Sequence, residues 1–69
     1  MNFNIECERG ADGRWLAEVS ELPGVLAYGT SAEEATAKAE VLALRVLAER
    51  LEHHETRAVN ISISIPQVA

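Results

Sequence analysis

Several things are scarce in this sequence, and each scarcity excludes something. There is one cysteine, Cys7, so no internal disulfide can form and a reducing compartment suits the chain. Six Lys and Arg stand against eleven Asp and Glu, a net charge of −5. The clustered cations that displace phosphate counterions are missing, which argues against direct DNA or RNA binding and against an anionic membrane surface. No apolar run approaches the roughly 18 residues of a membrane span. The start, Met1-Asn2-Phe3-Asn4, has neither the basic region nor the apolar core of a signal peptide, so the expected location is cytoplasmic. Aromatics amount to 4%: Phe3, Trp15 and Tyr28.

What is present suffices for one domain over residues 1–69, with 48% apolar residues. A core this small is marginal alone, so a homo-oligomer or a bound partner is expected to help stabilise it.

Asn2 to Arg9 alternates, with Phe3, Ile5 and Cys7 on one side and Asn4, Glu6 and Glu8 on the other, the pattern of a half-buried strand. Gly10-Ala11-Asp12-Gly13 supplies turn chemistry. Arg14 to Val19 alternates again, with Trp15, Ala17 and Val19 sharing a side, and the two runs predict a hairpin. Leu22-Pro23-Gly24-Val25 has the proline and glycine of a type II turn. Val25 to Gly29 predicts a short third strand.

Ser31 followed by Glu34 predicts a capping box, and Thr30 with Glu33 offers the same pattern one residue earlier. From Ala32 to about Glu52 no Gly or Pro interrupts a helix-forming stretch. His53 and the polar residues after it end the helix. Ala58 to Ile65 predicts the last strand, with Val59, Ile61, Ile63 and Ile65 alternating with Asn60, Ser62 and Ser64, and Pro66 stops it. The order is β-β-β-α-β, an α+β fold. An antiparallel three-strand meander is completed by a last strand parallel to the first, with the long helix on one sheet face. The apolar sets of all strands are expected to face the helix. Asn4, Glu6, Arg14, Glu18, Asn60, Ser62 and Ser64 are expected on the other face.

At 100° per residue the helix carries two apolar stripes. Ala35, Ala39, Leu42 and Val46, with Ala43 beside them, are assigned to the sheet. Ala37, Val41, Leu44, Ala48 and Leu51 follow a 4-3-4-3 spacing, the seam of a coiled coil, and form a candidate dimer or partner surface. Scattered exposed apolar residues on an alanine-rich helix would need no partner at all. Glu34–Lys38 and Arg45–Glu49 are expected as i,i+4 pairs on the flank.

Catalytic and metal-ligating constellations are not found. His53 and His54 are adjacent, hence about 100° apart on a helix, which does not make a bidentate metal site. Cys7 falls on an apolar strand side, where a buried, inert thiol is expected. Glu6 and Glu18 fall on neighbouring strands, but the last strand adds only Asn60, Ser62 and Ser64, short of the converging carboxylates of a two-metal nuclease. No glycine pattern opens a phosphate-binding helix. The expectation is no enzyme activity, no cofactor and no metal, with Glu6, Glu18, Asn60 and Ser62 as a candidate polar partner face.

The run Gly13-Arg14-Trp15-Leu16-Ala17-Glu18-Val19-Ser20-Glu21-Leu22-Pro23-Gly24-Val25, followed by Ala27-Tyr28-Gly29-Thr30-Ser31 and Glu33-Glu34-Ala35, resembles the HicB antitoxin family. The shared pattern is G-x-W-x-A-x-(V/F)-P-E/D-L-P-G, then x-G-x-(T/S)-x-E-E-A. Ser20 stands where the family often has proline, and Val25 where it often has cysteine. The resemblance implies a partial ribonuclease-H-like fold that is not itself catalytic. It also implies an antitoxin of a type II toxin–antitoxin system that neutralises a small basic mRNA-cleaving toxin, HicA. Many members continue into a DNA-binding domain; this sequence reaches Ala69 just after the last predicted strand, so no operator-reading element is expected. The alternative is a solitary homodimeric interaction or ligand-binding module on the same fold.

Overall fold

A computed structural model describes residues 2–53 and 60–65. Its elements are β1 (Asn2–Arg9), β2 (Trp15–Val19), β3 (Leu26–Gly29), α1 (Ala32–Glu52) and β4 (Ser62–Ser64). The strands form one mixed sheet in the order β3-β2-β1-β4, with β1 and β2, and β2 and β3, antiparallel and β1 parallel to β4. The helix packs on one face, so the α+β topology expected from the sequence is the one observed.

Local chemistry accounts for each junction. In the first hairpin the Gly13 N–H donates to the Gly10 carbonyl, and Gly13 takes φ +86°. Asp12 Oδ1 accepts from the Arg14 N–H at 3.0 Å, an Asx turn that steers the chain into β2. At the second turn the Val25 N–H donates to the Leu22 carbonyl at 3.0 Å and Gly24 takes φ +88°. With Pro23 before it, this is the type II turn the sequence predicts.

The helix begins at Ala32, with Ser31 as cap: Ser31 Oγ accepts from the Glu34 N–H at 3.1 Å. Glu34 reaches back past Ser31 to the Thr30 N–H at 3.0 Å, so the first of the two possible boxes is the one formed, shifted by one donor. That bond, helped by Lys38 at 3.5 Å, holds the Glu34 carboxyl below its ordinary value of 4.5. Arg45 and Glu49 do not close into the second expected pair. The helix ends at Glu52, where the His53 N–H donates to the Glu49 carbonyl.

The core joins large side chains of the sheet and turn (Phe3, Ile5, Val19, Leu22, Val25) to a helix face of alanines. Ala35, Ala39 and Ala43 are wholly buried. Their small side chains bring the helix axis close to the sheet, and Leu47 fills the far end. Each large side chain so buried contributes about 1.5–3 kcal/mol.

Two expectations about this packing need correction. Leu42, assigned to the sheet, is 36% exposed, while Leu47 and Thr36, not assigned there, are buried. Leu42 lies 100° around the helix from Ala43, whereas Leu47 lies one turn beyond it, so the alanine row that fits closest to the sheet fixes the rotation. The last strand is also shorter than Ala58 to Ile65. Asn2↔Ser62, Phe3↔Ile63 and Asn4↔Ser64 are the pairs in register, and the described Asn60, Ile61 and Ile65 fall outside the strand. Ala58, Val59, Pro66 and the segment from His54 through Arg57 lie outside the described residues.

Candidate interaction surfaces

Pairing register determines which side chains share the sheet face opposite the helix. Glu6 sits across from Glu18, and Glu18 across from Leu26. One row along, Glu8 sits across from Leu16, and Leu16 across from Tyr28. The outer face therefore grades from acidic on β1 to apolar on β3. The three carboxylates of Glu6, Glu8 and Glu18 are exposed and surround a shallow depression of about 220 Å³ with Leu16. Leu26 is 43% and Tyr28 49% exposed.

The cation on this face, Arg14, is already engaged. Its Nε donates to Asp12 Oδ2 at 2.7 Å, and its guanidinium lies 4.7 Å from the centroid of the Tyr28 ring. The bond to Arg14 holds the Asp12 carboxyl below its ordinary value and raises the guanidinium further. Glu21 forks onto Asn4, with Oε1 accepting from the backbone N–H at 3.2 Å and Oε2 from Nδ2 at 3.1 Å. Its own backbone N–H and then Asn4 keep that carboxyl low.

Of the four polar residues expected to act together, the structure joins two. Glu6 and Glu18 are cross-strand neighbours. Ser62 lies on the same face but beside Asn2, at the far end of β1, and Asn60 precedes β4 altogether. Glu8, Leu16, Leu26 and Tyr28 complete the face instead. The expectation that the apolar sets of the strands all face the helix therefore fails on β3, where Leu26 lies on the outer face beside Tyr28. Strand parity carried the signal, since Leu16 alternates with Trp15 and Ala17, but the partners on β3 depend on a register that only the turn sets.

Of the five helix residues assigned to a seam, four are exposed. Val41 is 47% and Leu44 52% exposed, with exposed Ala37 and Ala48 beside them. Leu51 is half-buried and, with Leu44, Ala48 and Ile61, lines a groove of about 480 Å³ between the helix and β4. On the other flank Ala27, Lys38, Val41 and Leu42 line a second groove of about 410 Å³. Cys7 is half-buried, its Sγ 3.8 Å from the Ala32 carbonyl oxygen. Among the described residues no group of three or more His, Cys, Asp or Glu is arranged to hold a metal ion, and no helix is long and apolar enough to cross a membrane. Comparison with protein-family models, with curated proteins and with solved structures returns no match.

Proposed function

We propose that this chain is a HicB-like antitoxin module that acts in the cytoplasm by binding a small, basic, HicA-like RNA-cleaving toxin. The observation that carries the reading is where the family pattern falls. Its glycines occupy positions that little else can fill. A Cβ on Gly29 would meet the Ala35 backbone nitrogen at 2.6 Å, and Gly24 has φ +88°. Its Ser31 and Glu34 cap the helix, and its Ala17 is wholly buried under that helix. The pattern thus specifies one particular junction of strand, turn and helix. The net charge of −5 suits a basic partner and speeds encounter with it.

The test is to look beside the gene for a small basic reading frame and to titrate its product into this chain by calorimetry, at physiological salt. Nanomolar binding that also stops RNA cleavage is expected. Absence of such a reading frame, or of binding, removes the antitoxin reading.

A second reading, a homodimeric interaction module, is favoured by the exposed Val41 and Leu44 of the helix seam. It expects a solution mass of two chains at micromolar concentration, and one chain in Leu44→Glu. A wild-type monomer removes it.

A further inference from the structure

The outer sheet face holds a conflict that no contact among the described residues resolves. Glu6 and Glu18 are directly opposite across β1 and β2, and Glu8 follows Glu6 on the same face. Like charges directly opposite on a sheet destabilise it. None of the three carboxylates makes an ion pair or side-chain hydrogen bond among the described residues, whose ion pairs are Arg14–Asp12 and Lys38–Glu34. Arg14, the residue just before β2, is turned to Asp12 and Tyr28. Beside the acids lie the exposed Leu26 and Tyr28, side chains of the kind that anchor interfaces.

We infer that this face is the docking surface for the basic partner, which sets its cations on Glu6, Glu8 and Glu18 and an apolar contact on Leu26 and Tyr28. The inference rests on the antitoxin reading and adds to it which surface is used. The helix seam is the competing surface, and it offers no preference of sign. Its flank carries Lys38 and Arg45 as well as Glu34 and Glu49. Among the described residues the sheet face carries three acids with no free cation among them, so a cationic protein surface is complementary to it alone. A partner that supplies the cations also removes the repulsion, so the same carboxylates weaken the free chain and strengthen the complex.

That opposition gives the test. The probe is a purified small basic HicA-like toxin, titrated into the ¹⁵N-labelled chain and into the pair variant Glu6→Gln/Glu18→Gln. The expected result is amide shift changes at Glu6, Glu8, Leu16, Glu18, Leu26 and Tyr28. The variant binds roughly tenfold more weakly and with a shallower salt dependence, yet melts about 2–4 °C higher alone. Leu44→Glu binds as the wild type does. Binding with shift changes confined to Val41, Leu44 and Ala48, or a pair variant of unchanged affinity, overturns the docking face and leaves the antitoxin reading standing. A pair variant that binds weakly and also melts lower acts through the fold, and overturns the inference too. A wild-type chain that does not bind the probe overturns both.

Discussion

Replacing Gly29 by alanine sets a methyl group against the first turn of the helix. An ideal Cβ there lies 2.6 Å from the Ala35 nitrogen and 3.1 Å from its Cα. Ordinary contact begins near 3.4 Å, so β3 or the helix start must retreat by about 0.8 Å. The obstacle is backbone and cannot swing aside, and Ala35 is itself wholly buried. Overpacking costs about 1–3 kcal/mol in general, and this geometry belongs at the upper end. A domain of 69 residues has only about 3.5–10 kcal/mol in total, so roughly 30% or more of it is lost. The melting temperature is expected to fall by about 12–24 °C, read by circular dichroism. Gly24→Ala is the control. Nothing lies within 4 Å of its Cβ, and its cost of about 1–2 kcal/mol comes only from holding φ at +88°. Asparagine, which tolerates that conformation, recovers part of the loss at Gly24 and none at Gly29. A Gly29→Ala protein within about 0.5 kcal/mol of wild type, or rescued by asparagine, refutes the close approach.

The other predictions concern single side chains. The Thr36 hydroxyl is buried without a hydrogen-bond partner, so Thr36→Val is expected to stabilise by about 1 kcal/mol in urea denaturation, and a loss would mean the hydroxyl is satisfied. Leu22 is 1% exposed within the turn, and Leu22→Ala is expected to cost about 2–5 kcal/mol in the same assay. Glu34 has a lowered carboxyl value in the folded chain, so its contribution is present above the unfolded value and is lost as pH falls through the folded one. Thermal stability of the wild type should therefore drop on acidification below about 4.5, and Glu34→Gln should reduce that drop; an unchanged acid profile in the variant counts against the Thr30–Glu34 bond.

Much of the fold was legible because its signals are local. Alternation from Phe3 to Cys7 marks β1 without reference to anything distant, and the bounds Ala32 and Glu52 follow from a cap at one end and polar residues at the other. The rotation of the helix was not legible. Leu42 and Leu47 are equally apolar, and the choice between them depends on how closely an alanine row can approach a sheet that only the tertiary fold supplies. The outer face was half legible. Glu6 and Glu18 follow from strand parity, but the juxtaposition of Leu16 with Tyr28 needs the register left by the Pro23-Gly24 turn. Length misled at β4, where eight alternating residues predict a long strand and three of them, Ser62 to Ser64, pair with β1.

The parallel pairing of β1 with β4 has a consequence in time. Asn2 and Ser62 are 60 positions apart in sequence, yet they are neighbours in the sheet. At about 5–20 residues per second, β1 leaves synthesis some 3–12 seconds before its second partner exists. During that interval the hairpin and the helix have everything they need, while the far edge of β1 presents unpaired N–H and C=O groups. An open edge of this kind pairs readily with any extended chain that meets it. The stretch of β1 from Asn2 to Asn4, inside the finished sheet, is thus an open border for several seconds of each molecule's life.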